Sequence, residues 1–240
     1  MNSALPTAIP HLVQRMDWGL VLDKPAGLLS VPGRGADKQD ALSSRVQTIE
    51  PLARVVHRLD QATSGLMIMA LGDDQARSLG LMFQQQRVRK LYLAWVRGKL
   101  PLSADWQLLD APIGFDWAHR PKRHVAAEAE TGKPSQTLWR AMAHSGDGQA
   151  TCMALRPLTG RTHQLRVHMA HLGHPILGDP LYGQDAPHGL LLHAHQIGLT
   201  PPGQTQTHIW TSPPTWKMGS DDIYSGLSQK LDLLLSDPNF

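Results

Sequence analysis

The chain has 240 residues, 41% hydrophobic and 18% charged, with a formal net charge of +3 at pH 7 and a pI near 9.2. That length suits one large domain or two small lobes with a sizeable core, and that balance excludes a disordered chain. The lone Cys152 excludes an internal disulfide and any multi-cysteine zinc site, no apolar run reaches the roughly 18 residues of a membrane helix, and residues 1–10 lack the basic-then-apolar pattern of a signal peptide, so a cytoplasmic protein is expected.

In chain order, residues 1–17 read as a lead-in, loose over its first fifteen or so residues, with two prolines. Residues 19–24 form an apolar run stopped by Pro25, which predicts a strand, and a Gly- and Pro-rich loop follows over 25–35. Asp37 is expected to cap a helix that carries Leu42, Val46 and Ile49 on one face and ends before Pro51. Residues 66–71, bounded by Gly65 and Gly72, predict a buried strand. Asp73 or Asp74 then caps a second helix with Ala76, Leu79 and Phe83 inward, and 91–96 predicts a strand set among Arg87, Arg89, Lys90, Arg97 and Lys99. The second half predicts strands over 137–143, 150–156, 190–199 and 207–211. Between them, residues 159–173 read as a turn and a short helix with Leu165, Met169 and Leu172 inward, ended by Gly173. Residues 217–240 form a tail, in which 221–236 carries Ile223, Leu227, Leu231 and Leu234 on one face and predicts a docked helix.

The chemistry is concentrated in few places. Residues 56–65, Val-His-Arg-Leu-Asp-Gln-Ala-Thr-Ser-Gly, set the carboxylate of Asp60 on a loop beside Arg58, just ahead of a buried strand. An aspartate there often does no more than bond its own turn, so the loop alone leaves its role open. A second basic cluster, His119, Arg120, Lys122, Arg123 and His124, is expected in a loop near Trp117, and two such clusters without an acidic block favour contact with a phosphate backbone. His163, His168, His171 and His174 invite a metal reading. However, His-Glu-x-x-His is absent and no carboxylate lies inside the cluster to complete a usual zinc set. Residues 132–135 lack the upstream glycine of a phosphate-binding loop and place a proline where that loop needs a backbone donor. A Gly-x-Ser-x-Gly elbow is missing as well. A serine hydrolase and a nucleoside triphosphatase are therefore poorly supported.

Taken together, residues 57–65, Lys90-Leu91-Tyr92, residues 160–168 and residues 174–179 resemble, in order and spacing, the RluA-type pseudouridine synthases. The resemblance runs from about Trp18 to Trp216, taken as a catalytic domain over 18–216. Residues 30–34, Arg120-Pro121-Lys122 and residues 131–134 are similar to the branch acting on both ribosomal and transfer RNA. The resemblance implies an α+β fold: a largely antiparallel central sheet flanked by helices and loops, with an RNA-binding cleft. It implies isomerisation of uridine in structured RNA, with 23S rRNA and a tRNA anticodon arm as substrates, with no cofactor and no metal, by a monomer. No room is expected for a separate N-terminal RNA-binding module. By the same resemblance Asp60 is the nucleophile, Arg161 the arginine that orients it, Tyr92 the ring that packs on the uracil, and Arg58 the side chain that fills the space of the flipped base. Carboxylate chemistry agrees with this, because a carboxylate attacks an anomeric carbon in retaining glycosidases and a nearby guanidinium favours its ionised form. Lys122, Arg123 and Arg166 are expected at RNA phosphates. Members of the family commonly carry His-Pro after the late strand where this chain has Leu199-Thr200-Pro201-Pro202, which is expected to alter a turn rather than the chemistry. Two other classes remain: a catalytically inactive RNA-binding module and a histidine-cluster metal hydrolase.

Overall fold

Alternating and continuous apolar runs make this a strand-rich protein, and the computed structural model describes it over residues 9, 11–127, 132–201 and 203–216. The fold is α+β, with a largely antiparallel sheet. The described residues divide into two units: one holds those up to Val88 together with those of Ala194–Ser212, the other those of Arg89–His193 and 213–216. Among the described residues, no helix is long and apolar enough to cross a membrane.

In the first unit, β1 (Leu12–Met16) pairs antiparallel with β2 (Gly19–Lys24), and β2 pairs antiparallel with β4 (Ser64–Leu71). A short β3 (Ala53–Val55) pairs with the far end of β4. β11 (Leu192–Leu199) lies beside β4 and pairs antiparallel with β12 (His208–Thr211). Strand β4 is buried on both faces, as its unbroken apolar run requires. Leu66, Ile68 and Ala70 pack with Leu79 and Met82 of α2 (Asp73–Gln84) on one side. Met67 and Met69 pack on the other with Leu42 and Val46 of α1 (Leu42–Gln47).

Both helices start differently from expectation. Asp37 lies in a 3-10 turn, Ala36–Lys38, and the chain is extended at Ala41 before α1 begins. The N–H groups of Leu42 and Ser43 are taken by the carbonyls of Leu29 (2.8 Å) and Ser30 (3.2 Å), so the loop before the helix replaces a side-chain cap. In α2 the cap is Gly72, while Asp73 and Asp74 fall inside the first turn, where their charge suits the positive end of the helix dipole. The expected loose lead-in also changes, because β1 forms against β2 within it.

In the second unit, β5 (Arg89–Arg97) pairs antiparallel with β10 (Ala150–Pro157), β10 with β9 (Gln136–His144), and β9 with β6 (Gln107–Asp110). Leu91, Leu93 and Trp95 share one face of β5 and pack with Cys152 and Ala154. By the two-residue period Tyr92 lies on the opposite face, in register with Leu155. The basic cluster, expected in a loop, instead spans the tip and second strand of a hairpin, β7 (Ile113–Phe115) with β8 (Arg123–Val125). Helix α3 (Gln164–His171) buries Leu165 and Met169, and Gly173 follows with a left-handed φ of 83°. The predicted helix over 221–236 lies outside the described residues.

Gly65 has a φ of 109°, and a Cβ there would meet the backbone oxygen of Ala194 and stand 2.6 Å from its nitrogen. Only a glycine lets β4 leave the Asp60 loop at that spacing. Gly65→Ala is expected to cost about 2–3 kcal/mol, lowering Tm by roughly 5–10 °C in a thermal unfolding experiment. An unchanged Tm would show that the close approach is dispensable.

Candidate active site

Asp60 sits half-buried on the loop between β3 and β4, and the local chain closes a turn there through the Thr63 N–H to the Asp60 carbonyl (3.1 Å). Its two neighbours are each strapped to the 25–30 loop. On one side, the buried Ser30 hydroxyl donates to the Leu59 carbonyl (2.7 Å) and accepts the Leu59 N–H (3.1 Å). On the other, the Gln61 carbonyl accepts the Gly27 N–H (2.8 Å) and the Lys24 ammonium (3.2 Å), while the Gln61 amide donates back to the Gly27 carbonyl (3.0 Å). The residue before Asp60 and the residue after it are therefore both held by partners about thirty residues upstream. Such a frame fixes where the carboxylate can point.

Lys24 anchors this frame. It is fully buried, and besides Gln61 its ammonium donates to the carbonyls of Leu28 (2.8 Å) and Pro25 (2.9 Å). Loss of water lowers its pKa to about 8, against an upward pull from the charge of Asp60. Sequence reasoning passed over this residue; the available signal was a lysine ending an apolar strand directly before Pro-Ala-Gly. His57 also serves the loop, its Nε2 accepting the Ile68 N–H (2.9 Å) and its ring stacking on Phe83. Arg58 lies exposed on the same loop.

The other candidates lie in the second unit. Tyr92 is half-buried on β5. Next to it, Lys90 has its ammonium enclosed although the residue as a whole is only partly covered, and loss of water lowers its pKa to about 8. Arg161 is exposed, and its Nε donates to the Pro134 carbonyl (3.1 Å). Its backbone N–H goes to the buried Gln164 amide oxygen (3.0 Å), which also accepts from Thr159 (2.8 Å). The Gln164 amide nitrogen reaches the Gln136 carbonyl (2.9 Å) and Thr137 Oγ1 (3.0 Å). Gln164 thus spends its whole amide on placing the turn that carries Arg161.

Arg166, expected at a phosphate, has a different place. It is 3% exposed and forms a two-pronged pair with the fully buried Asp179, at 2.8 and 2.7 Å. The remaining Asp179 bonds come from the N–H groups of Leu181 (2.9 Å) and Tyr182 (3.2 Å). The Arg166 guanidinium also lies over the Tyr182 ring, 5.2 Å from its centroid. The Tyr182 hydroxyl accepts the Arg123 N–H (2.8 Å) and pairs with His163 Nδ1 (2.8 Å), where His163 holds a left-handed φ of 58°. Burial raises the Tyr182 pKa, with the Arg123 bond and the Arg166 charge opposing it. One connected network therefore joins the turn of Arg161, the Asp179 loop and the basic hairpin.

The histidines disperse. His168 is buried between Thr137 Oγ1 (2.8 Å) and the Ala111 carbonyl (3.0 Å), and burial lowers its pKa. His174 bonds the Arg97 carbonyl (2.8 Å) and His195 the Ser212 carbonyl (2.7 Å). Among the described residues no group of three or more His, Cys, Asp or Glu side chains could hold a metal ion. Cys152 is buried, which pushes its thiol up to about 12 and leaves it inert.

Residues 19–171 match the family model described as RNA pseudouridylate synthase. The chain is 43% identical to the dual-specificity RNA pseudouridine synthase RluA of Escherichia coli K12 over 220 residues, covering 89% of this chain and 98% of that one. It is 44% identical to the enzyme of that name from Yersinia pestis over 187 residues, 76% of this chain and 88% of that one. Human RNA Pseudouridylate Synthase Domain Containing 1 superposes with a TM-score of 0.76 at 29% identity, covering 97% of this chain and 98% of that one.

Two substitutions test the supports. Lys24→Met leaves buried carbonyls short of a donor and is expected to cost about 2 kcal/mol at pH 7, roughly 4–8 °C in Tm. Because the folded value of about 8 lies below the ordinary 10.5, the folded protein binds fewer protons than the unfolded chain between those values. The burial penalty of Lys24 is thus present in full below pH 8 and relieved as pH rises to 10.5. Wild type should gain stability relative to Lys24→Met across that window, and parallel pH profiles would refute the assignment. Asp179→Asn strands the Arg166 charge and is expected to cost about 3 kcal/mol or more in urea unfolding, with part recovered when Arg166→Met is added.

Proposed function

The chain belongs to the RNA pseudouridylate synthase family, enzymes that isomerise uridine to pseudouridine in RNA, and from that premise we propose that it modifies both 23S rRNA and a tRNA anticodon arm with Asp60 as its nucleophile. The observation that supports this most is the match to a dual-specificity relative over 98% of that enzyme's length at 43% identity. The frame around Asp60 supports the catalytic assignment. A carboxylate that must meet a sugar or base carbon at bonding distance gains from having the residues on both sides of it held.

The reaction exchanges one glycosidic bond for another. The C1′–N1 bond of uridine breaks, C1′ joins C5, the C5 proton leaves and N1 ends protonated; no water is added and no electrons are exchanged. Attack by Asp60 at C1′ or at C6, or departure through a glycal, reaches this same outcome. Uracil first leaves its stack, at a cost of a few kcal/mol. Arg58, an exposed cation on the Asp60 loop, occupies the space it vacates, and Arg161, also exposed, takes the role of the family's orienting arginine. Tyr92 packs on the flipped base. Lys122 and Arg123 meet phosphates; Arg166, buried on Asp179, is left out of that set. The enzyme works as a cytoplasmic monomer without cofactor.

The test is tritium release from RNA labelled at uracil C5, with a tRNA anticodon arm and a large-subunit rRNA hairpin as substrates. Wild type releases tritium from both, and Asp60→Asn releases none while binding each RNA within a few-fold of wild type. Release from one RNA alone would narrow the substrate. Loss of binding equal to the loss of turnover would make Asp60 a folding residue and overturn its role.

A further inference from the structure

The tip of the β7–β8 hairpin holds more than the cations that attract a phosphate backbone. Phe115 and Trp117 stand at the surface, 47% and 68% exposed. Their rings are stacked, with centroids 5.3 Å apart and planes 18° from parallel. Each ring carries a guanidinium: Arg120 lies 4.2 Å from the centroid of Trp117, and Arg123 lies 4.2 Å from that of Phe115. Neither ring belongs to the buried cluster around Leu91, Leu93 and Trp95, and two adjacent large apolar rings left at the surface are a mark of an interaction site.

The tip is also held in shape. Arg123 is fixed through its N–H to Tyr182, and its guanidinium donates to the carbonyls of Pro121 (3.1 Å) and Lys122 (3.0 Å). Below the rings, Ile113 pairs with Val125 in the hairpin and exchanges backbone bonds with Lys133 (3.0 and 2.9 Å). The lone acid of residues 115–125, Asp116, is engaged by the backbone and ring nitrogens of His119 (each 3.0 Å). Among residues 115–125, Arg120, Lys122 and Arg123 thus have no uncommitted carboxylate to pair with. Aromatic rings interleaved with guanidiniums on a rigid, cationic tip are the chemistry that receives an unpaired base and the phosphate beside it.

We propose that Phe115, Trp117, Arg120 and Arg123 form a stacking platform for one unpaired nucleobase of the RNA, apart from the uridine that is modified. This rests on the reading that the chain acts on RNA. The platform lowers Kd and selects RNAs with an unpaired nucleotide at the right distance from the target, without entering the chemical step.

The experiment uses the full chain and its Trp117→Ala and Trp117→Phe variants, with the labelled anticodon arm and a set of the same arm carrying an abasic nucleotide at each loop position. Fluorescence anisotropy reads Kd, and single-turnover tritium release at saturating RNA reads the chemical step. Trp117→Ala is expected to weaken binding about 10-fold or more, Trp117→Phe by about 3-fold or less, and the rate at saturation to stay within about 2-fold in both. One abasic position should weaken binding by wild type and have no further effect on Trp117→Ala. Turnover by wild type with a Kd indifferent to Trp117→Ala, or abasic effects that add to the variant at every position, overturns the platform alone. Binding that depends on Trp117 without any tritium release overturns the synthase reading alone, and absence of both overturns both.

Discussion

The structure depends first on how a buried ammonium and a serine hydroxyl tie the Asp60 loop to the 25–30 loop. Lys24 gathers three carbonyls, one of them on the residue after Asp60, and Ser30 closes both polar groups of the residue before it. A charged amine is costly to bury, and its lowered pKa measures that cost. The cost is offset because the ammonium supplies a donor to the carbonyls of Leu28 and Pro25 and a second donor to that of Gln61, which also takes the Gly27 N–H. The same loop supplies the Leu29 and Ser30 carbonyls that start α1, so the helix, the strap and the carboxylate loop are one construction.

The second unit solves a similar problem with a different device. Arg166 and Asp179 neutralise each other in the interior, and Tyr182 carries that rigidity outward to His163 and to the basic hairpin. A buried pair with further hydrogen bonds is a poor source of net stability but a good way to hold several chain segments in one arrangement. The segments held here are the turn of Arg161 and the hairpin of Lys122 and Arg123. Residues assigned to chemistry and residues assigned to RNA contact thus share one set of supports.

Much of the fold was legible in the chain. The runs at 19–24, 66–71, 91–96 and 150–156 read as strands because their apolar residues leave no polar face, or only one, for solvent. What sequence reading missed were pieces without such a signal. Strands β3, β7 and β8 have three residues each, too few for a period to show. The helix starts were misplaced because an aspartate before a helical pattern suggests a side-chain cap, whereas here backbone carbonyls and a glycine do that work. Arg166 was misread for a related reason: a cation in a basic motif suggests the surface unless its carboxylate partner, thirteen residues on, is seen to fold against it.

The sequence by itself determined the class of chemistry. The motifs around Asp60 and Arg161 are short and contiguous, and the family match follows from them without any knowledge of packing. Only the tertiary structure decided which side chains hold those motifs in place and which cations remain at the surface. Lys24 with Gln61, Ser30 with Leu59 and Arg123 with Tyr182 are partners separated by 37, 29 and 59 positions. Burial and hydrogen bonding are properties of such pairs, and one residue's identity does not contain them.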